Sequence, residues 1–207
     1  MIFENYKYIH LPERTCETIT DAINLLTQNG KQNIATHVTN VAKVNAQLAE
    51  RFGLDSEKCF TAGILHDISA VLSPADMFDY ALKNGFGLCE AERKYPFLLH
   101  QRISKIISHE YFGIDNDEIL SAIECHTTLK ESASKYEMTL FIADKLAWDR
   151  DGVPPFYDEV SEALNCSLEK ACYVYMKYMT NTGSVLCPHT NWNLAYSWLR
   201  CKVEDDN

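Results

Sequence analysis

The sequence has few of the residues that end strands and tight turns. Only 8 of its 207 residues are glycine and 6 are proline. An all-β chain needs a turn, usually rich in glycine or proline, about every ten residues. The scarcity of both therefore disfavours an all-β fold and favours helices. The hydrophobic content of 46% and the charged content of 23% are ordinary for a globular domain.

Two further absences bear on location. No apolar run is long enough to span a bilayer. The opening residues, MIFENYKYIH, carry acidic and polar side chains where a secretory signal needs an apolar stretch. The 8 cysteines form no CxxC pair, which disfavours a zinc knuckle. We predict a cytoplasmic protein with reduced cysteines and no membrane partner.

The chain has fewer basic than acidic residues. The chain has 19 Lys and Arg against 29 Asp and Glu, for a formal net charge of −10. This balance argues against a nucleic-acid polymer as the main partner, because binding to its phosphates needs basic side chains. A small anionic substrate stays open, since bound divalent metals can reverse the local sign of the field.

Helix-ending glycines and helix-capping residues divide most of the chain into helical segments. We predict one all-α domain over residues 1–207 and no strand. The predicted helices cover residues 11–29, 33–52, 55–66, 74–84, 98–112, 115–126 and 136–148, with two or three more after Pro155.

A repeated turn organises the middle of the chain. The sequence Phe-Gly-Leu-Asp at 52–55 recurs as Phe-Gly-Ile-Asp at 112–115. In each case glycine ends a helix and aspartate starts the next one, with Asp115 and Glu118 resembling a capping box at the second turn. Each turn therefore predicts a helical hairpin.

Histidines lie at matching distances from the two turns. His37 and His66 lie 15 residues before and 14 after Phe52, and His100 and His126 lie 12 before and 14 after Phe112. At 1.5 Å per residue these arms are roughly 18–22 Å long. Two packed hairpins would bring the four imidazoles to one end of a bundle, which predicts a metal site.

Each histidine alone is more simply a structural residue, so the hypothesis depends on the joint pattern. That pattern adds Asp67, next to His66, and Asp144, on a later helix. Imidazole and carboxylate ligands suit Mn, Fe, Co, Ni or Zn. A carboxylate such as Asp67 can bridge two ions.

The motifs resemble a known family. GILHDISAVL at 63–72 resembles the HD signature of metal-dependent phosphohydrolases, and LLH at 98–100, CHTT at 125–128 and FIADKLAWDR at 141–150 resemble the YqeK family of HD proteins. The likeness covers about residues 33–160. It implies an HD-domain helical bundle, a homodimer, and a metal centre, often iron, beside a bound nucleoside diphosphate. The implied reaction is the symmetrical cleavage of diadenosine tetraphosphate into two ADP.

The resemblance also assigns roles by position. His37, His66, Asp67 and Asp144 would hold one metal ion, and His100 and His126, with Asp67 bridging, a second. The metal-binding core would span about residues 33–150, with the C-terminal helices at 155–204 packed on it. One or two divalent transition-metal ions are expected, iron before Mn, Co, Ni or Zn.

Four further residues are predicted to contact the phosphates. They are Thr127, Thr128, Lys145 and Arg150. Asp67, Lys145 and Arg150 are the predicted catalytic residues. A surface ion pair with Asp149 or Asp151 is an equally open role for Arg150.

The chain departs from the family pattern at three places. Ser69-Ala70-Val71 replaces a basic residue common after the His-Asp pair, Leu129 replaces a glycine, and residues 145–149 replace an Ile-Glu-Pro form. These positions concern the substrate pocket more than the metals. The reaction type therefore stands, while the exact substrate is open.

Two other functions are alternatives. One is a nucleotidase or phosphatase acting on nucleoside mono- or diphosphates, and the other is a nucleotide-binding sensor without turnover. The sequence has neither a GxxxxGK[ST] nor a GxGxxG phosphate loop. The C-terminal aromatic residues could stack on a base, although their near-helical spacing favours a core role. They are Tyr173, Tyr175, Tyr178, Trp192, Tyr196 and Trp198.

Overall fold

The fold is described from a computed structural model over residues 2–149 and 151–205. The described residues contain eleven α-helices, three short 3-10 helices and no strand, which confirms the all-α class. The α-helices are α1 Thr18–Gln28, α2 Gln32–Phe52, α3 Ser56–Leu65, α4 Pro74–Lys83, α5 Glu90–Lys94, α6 His100–Glu110, α7 Asp117–Cys125, α8 Lys135–Leu146, α9 Tyr157–Ala163, α10 Leu168–Asn181 and α11 Thr190–Asp205. The 3-10 helices are Ile2–Asn5, Ile68–Val71 and Pro96–Leu99. Within these residues, no helix combines the length and the apolar character that crossing a membrane requires.

Local capping explains several helix starts. The Asp55 side chain accepts hydrogen bonds from the first backbone N–H groups of α3, and Ser73 does the same for α4. Ser134 and Glu137 form a capping box at the start of α8. These bonds satisfy backbone donors that have no partner within the helix. The predicted starts of α3 and α4 are confirmed.

The predicted start of the first helix is wrong. Helix α1 begins at Thr18, not near Leu11-Pro12. The carboxylate of Asp21, only 1% exposed, accepts hydrogen bonds from the backbone N–H and hydroxyl of Thr15 and from Arg14. These bonds hold the preceding residues in a non-helical path. Local sequence could not predict it, because the path depends on a buried side chain further along the chain.

Two more boundaries are corrected. The predicted helix at 98–112 begins instead with the 3-10 helix Pro96–Leu99, and α6 starts at His100. The predicted cap at Asp115 is also wrong, because the side chain of Asn116 accepts the hydrogen bond from Ile119 N–H at 3.1 Å. The cap therefore lies one residue later than the repeated turn suggested.

The two repeated turns reverse the chain as predicted. Gly53 and Gly113 adopt left-handed backbone conformations, with φ of 69° and 72°. Such φ values suit glycine because other residues carry a Cβ. Helices α2 and α3 form the first hairpin, and α6 and α7 the second. Helix α3 packs against α7, and α8 packs against α2, α3 and α7.

A close approach between α2 and α3 fixes the first hairpin. A Cβ built on Gly63 would lie 2.5 Å from the Cα and 2.8 Å from the backbone nitrogen of Ala42. Both atoms belong to the backbone of the facing helix, so they cannot move as a flexible side chain would. Gly63 is therefore required by helix packing, three residues before His66.

We predict that Gly63→Ala lowers the free energy of unfolding by about 1–3 kcal/mol, the usual cost of overpacking a core. Urea unfolding followed by circular dichroism measures the change. Gly87→Ala is the matched control, because its Cβ would meet nothing within 4 Å. Equal stability of the two variants would show that α2 and α3 are not in close contact.

Candidate metal centre and adjoining pocket

The six predicted metal ligands lie together at the end of the bundle away from the two glycine turns. Each ligand lies at or near the end of a helix that reaches this region. Because the arms of the two hairpins are nearly equal in length, the ligands lie at the same height along the bundle. They are His37 on the second turn of α2, His66 and Asp67 after α3, His100 at the start of α6, His126 after α7, and Asp144 near the end of α8.

The carboxylate of Asp67 divides the four imidazoles into two pairs. Its Oδ2 lies 3.8 Å from His37 Nε2 and 3.6 Å from His66 Nε2. Its Oδ1 lies 3.4 Å from His100 Nε2 and 3.5 Å from His126 Nε2. One carboxylate oxygen therefore faces each pair, which is the geometry of a bridging ligand.

Asp144 joins the first pair. Its Oδ1 lies 3.1 Å from His37 Nε2 and 3.6 Å from His66 Nε2. The Nε2 atoms within each pair are also close, at 3.3 Å for His37 and His66 and 2.9 Å for His100 and His126. Such a convergence of nitrogen and carboxylate lone pairs is suited to a cation.

The donor set fits divalent transition metals, which HD domains bind. Two groups of side chains could each hold an ion, with all ligand atoms in a group within 4.8 Å of one another. One group is His37, His66 and Asp67, and the other is Asp67, His100 and His126.

Backbone carbonyls orient three of the four imidazoles. The Nδ1–H groups of His66, His100 and His126 each donate to the carbonyl three residues earlier, at 2.7, 2.6 and 2.8 Å. These bonds place the hydrogen on Nδ1 and leave the Nε2 lone pair facing the centre. Outer partners of this kind fix the tautomer and orientation of metal-binding histidines.

His37 has a different outer partner. Its Nδ1 pairs with a carboxylate oxygen of Asp149, a side chain that is 47% exposed. A carboxylate makes an imidazole a stronger electron donor than a carbonyl does. Asp149 lies in the segment that departs from the family pattern, and no role at the centre was predicted for it.

The charges at the centre hold its carboxylates ionised. Burial raises the pKa of Asp67, but the charges of the surrounding imidazoles and a hydrogen bond to His126 outweigh it and lower the pKa far below its usual range. Burial also raises the pKa of Asp144, which Lys145 and the nearby imidazoles lower well below its usual range. Both side chains are therefore anionic ligands at neutral pH.

The histidines differ from one another. Burial lowers the pKa of His126 to about 4, so this imidazole is neutral at pH 7. Burial also lowers the pKa of His37, but the hydrogen bond to Asp144 and the charges of Asp144, Asp67 and Asp149 raise it to about 9. A cation that binds His37 at neutral pH therefore replaces a proton.

A buried serine contact fixes the position of His100. The Ser69 hydroxyl donates to the carbonyl oxygen of His100 at 3.0 Å, and Ser69 N–H donates to the Ser104 hydroxyl at 3.2 Å. Both serines are fully buried. Ser69 follows the His66-Asp67 pair closely, so its bonds tie the His66-Asp67 turn to α6.

A pocket of about 280 Å³ adjoins the metal centre. Its wall near the centre carries Thr127, Thr128 and Lys145, three of the four predicted substrate contacts. The remainder is largely apolar and aromatic. The other lining residues are Tyr95, Phe97, Leu98, Tyr175, Met179, Ser184, Val185, Leu186, Cys187, His189 and Trp192.

The predicted phosphate contacts differ in their relation to the centre. Thr127 Oγ1 lies 3.0 Å from His100 Nε2. The ammonium of Lys145 pairs with the Asp144 carboxylate and donates to the carbonyl of His126 at 3.3 Å. Arg150, predicted as a phosphate contact and catalytic residue, lies outside the described residues.

The HD domain family matches residues 34–149, more than half of the chain and the whole of the ligand set. This chain belongs to the HD-domain family. It is accordingly a metal-dependent hydrolase.

The HD-domain chain is similar to several known proteins. It is 37% identical, over 70% of its length and 71% of the other, to a Lactococcus lactis subsp. cremoris protein named for the pepC 5′ region. It is 33% identical to a symmetrical bis(5′-nucleosyl)-tetraphosphatase of Staphylococcus aureus, over 68% of this chain and 72% of that one. A Clostridium acetobutylicum structure, described as a predicted HD superfamily hydrolase involved in NAD metabolism, has a TM-score of 0.80 and 25% identity, covering 92% of this chain and all of that one.

A third cluster of possible ligands lies outside the HD centre. Cys89, Glu92 and His189 place one ligand atom each within 4.8 Å of the others. However, Asn191 N–H donates to His189 Nδ1 at 3.0 Å, which leaves the hydrogen of the neutral imidazole on Nε2. Arg102 also lies 3.0 Å from the Glu92 carboxylate and supplies its positive partner. The cluster is therefore an ionic contact between helices.

This contact joins α5, α6 and the start of α11 beside the pocket wall. It could not be predicted, since nothing local in the sequence relates Glu92 to a histidine 97 positions later. Burial raises the pKa of Glu92, but the nearby His189 imidazole, 3.6 Å away, and hydrogen bonds from the Cys89 N–H and Arg102 outweigh this and lower it to about 2. Glu92 therefore stabilises the fold as an anion.

We predict that Asp149→Asn weakens Mn²⁺ binding about 10–100-fold, because outer partners of ligating histidines contribute that much to metal affinity. Isothermal titration calorimetry on metal-free protein measures the change. Asp151→Asn removes an exposed carboxylate two residues further on and serves as the control. An affinity within twofold of the wild type would show that Asp149 does not support His37.

We predict that Glu92→Gln lowers the free energy of unfolding by on the order of 3 kcal/mol at pH 7. Folding lowers the pKa of Glu92 from 4.5 to about 2. The ionised side chain therefore stabilises the fold fully above the unfolded pKa, and this contribution is lost as the pH falls toward about 2. The difference from the wild type therefore shrinks below about pH 5. Urea unfolding between pH 7 and 3.5 measures it, with the exposed Glu90→Gln as control. A pH-independent difference would contradict the charge-based explanation.

Proposed function

We propose that this HD-domain protein hydrolyses phosphoanhydride bonds in nucleotides, and that its substrate is diadenosine tetraphosphate, cleaved symmetrically into two ADP. The observation that carries the proposal is the division of four imidazoles by Asp67 beside a pocket with an apolar, aromatic wall. The similarity to a Staphylococcus aureus protein named as a symmetrical bis(5′-nucleosyl)-tetraphosphatase also supports the proposal.

Two ions are proposed to share the centre. His37, His66, Asp67 and Asp144 would hold one, and His100 and His126, with Asp67 between the two, would hold the other. Bound divalent ions supply Lewis acidity, which polarises phosphoryl oxygens and makes water a better nucleophile near neutral pH. We propose iron as the physiological metal, with Mn, Co, Ni and Zn as alternatives.

Lys145 is proposed to offset the negative charge that develops on the phosphate. Burial lowers its pKa, but the Asp144 carboxylate raises it above its usual value, so the side chain stays charged. Its contacts with Asp144 and the His126 carbonyl hold the ammonium at the boundary between centre and pocket. A fixed charge of this kind stabilises a transition state without reorganisation.

The pocket wall beside the centre offers hydrogen-bond donors. The Thr127 hydroxyl lies at the edge of the second ligand pair, and Thr128 follows it in the same wall. We propose that Thr127 contacts a phosphate oxygen. The two carboxylate oxygens of Asp67 face the two histidine pairs, where they would coordinate the proposed ions as its catalytic role.

The apolar part of the pocket suits a nucleoside. Tyr175 and Trp192 line it with their ring centroids 6.4 Å apart, and Tyr95 and Phe97 also line it, with centroids 6.2 Å apart. Aromatic faces bind bases by stacking, with little dependence on base identity. One half of a dinucleotide would occupy the pocket, with the central phosphates at the metal centre.

A second candidate is a nucleotidase acting on mono- or diphosphates. The size of the pocket favours it, since about 280 Å³ is at the small end of the range for ligand pockets. A nucleotide-binding sensor without turnover is the third.

We further propose that residues 1–207 form a single domain. The protein would be cytoplasmic and would act as a homodimer on small nucleotides.

The decisive experiment incubates iron- or manganese-loaded protein with diadenosine tetraphosphate and separates the products by chromatography. We predict ADP as the sole product. His66→Ala should lower the rate by more than about 100-fold, because loss of an outer partner alone costs 10–100-fold.

Each other result selects a different function. Release of inorganic phosphate would identify a nucleotidase. Binding of the nucleotide without turnover, with metal content verified, would identify a sensor. Unchanged activity in His66→Ala would remove the proposed centre from the reaction.

A further inference from the structure

Gln101 is a buried polar residue behind the pocket wall. It follows His100 on α6, is 1% exposed, and is not among the residues that line the pocket. A buried carboxamide must form hydrogen bonds to offset its loss of contact with water. Its partners all lie in the short segment that follows His126.

The carboxamide oxygen of Gln101 binds two successive backbone amides. Thr127 N–H donates to it at 3.1 Å and Thr128 N–H at 3.4 Å. The Gln101 Nε2 group donates to the Thr128 hydroxyl at 3.1 Å, and that hydroxyl donates to the carbonyl of Leu129 at 3.0 Å. One side chain therefore contacts the whole turn after the ligand His126.

This turn has an unfavourable conformation of its own. Leu129 is fully buried and has a φ of 55°, in the left-handed region that favours glycine. The chain passes from His126 into that conformation within three residues. Leu129 N–H donates to the carbonyl of Cys125 at 2.7 Å, and the bonds from Gln101 hold the two residues before Leu129 from outside the turn.

We propose that Gln101 is a positioning residue that holds Thr127 and Thr128 in place as the phosphate-facing wall of the pocket. Thr127 Oγ1 lies 3.0 Å from His100 Nε2, so a small movement of the turn displaces this hydroxyl from the centre. Gln101 does not line this pocket itself, and its side-chain hydrogen bonds go to Thr127 and Thr128 and not to the proposed ligand atoms. The inference rests on the proposed function, in which Thr127 contacts a phosphate oxygen.

Gln101→Met tests the inference, because methionine has a similar volume and none of the hydrogen bonds. We expect kcat for diadenosine tetraphosphate to fall at least about tenfold, with KM within threefold and metal content unchanged. In a Thr127→Val background the same substitution should have little further effect, since residues that act as a unit are not additive. Unchanged kcat, or additive effects of the two substitutions, would overturn the inference.

Asn45→Leu is the matched control. Asn45 is another fully buried carboxamide, and it donates to the Cys59 carbonyl at 2.7 Å, away from the Thr127 turn. The Asn45→Leu variant should be less stable than the wild type and keep its kcat.

If Gln101→Met does not fold, Gln101→Glu takes its place, because it keeps an oxygen for the two amides and removes the donor to Thr128. We expect Gln101→Glu to keep kcat within about threefold, and a loss as large as that expected for the methionine variant would overturn the inference.

A readout without substrate separates this inference from the proposed function. Hydrogen exchange measured by NMR should become about tenfold faster or more at the Thr127 and Thr128 amides of Gln101→Met. If the wild type cleaves no diadenosine tetraphosphate, the proposed function fails, and the exchange still tests the position of the turn. Unchanged exchange at both amides would overturn the role of Gln101.

Discussion

The structure depends on one arrangement, a single carboxylate among four imidazoles. Asp67 can face His37 and His66 with one oxygen and His100 and His126 with the other only if two hairpins end at the same level. That requirement fixes the lengths of the four helical arms and the packing between them. The close backbone contact at Gly63, three residues before His66, is one result, since a wider separation of α2 and α3 would move the imidazoles apart. The fold and the candidate centre therefore impose the same geometric constraint.

Much of this arrangement could be predicted from the sequence because its determinants are local. A glycine after a helix and an aspartate before the next are read directly from neighbouring residues, and equal arm lengths then relate histidines nearly thirty positions apart. The incorrect helix boundaries show where neighbouring residues alone no longer determine the structure. Helix α1 starts late because Asp21 binds Thr15 and Arg14, and the second hairpin uses Asn116 in place of Asp115 as its cap. Each depends on which of several suitable side chains finds its partner in three dimensions.

The supporting residues could not be predicted for the same reason. Gln101, Asp149 and His189 are common residue types, and their sequence positions carry no recognisable pattern. Their roles arise from partners 26 to 112 positions away: the Thr127 amide, His37 and Glu92. Metal-binding histidines can be found because chemistry restricts the ligand types and helices restrict their spacing. A supporting residue has no such restriction, because any suitable donor or acceptor that reaches the ligand can serve.

The departures from the family pattern lie at positions around the centre and the pocket wall and not among the six proposed ligands. Ser69 bonds to the His100 carbonyl, Asp149 pairs with His37, and Leu129 takes the left-handed conformation that a glycine would adopt more easily. Leu129 is fully buried, so its conformational cost of about 1–3 kcal/mol is offset by the burial of its side chain. The core and the pocket wall are thereby coupled through one residue. A glycine there would relax the turn and open a cavity, whereas the hydrogen bonds of Gln101 hold the turn without loss of core packing.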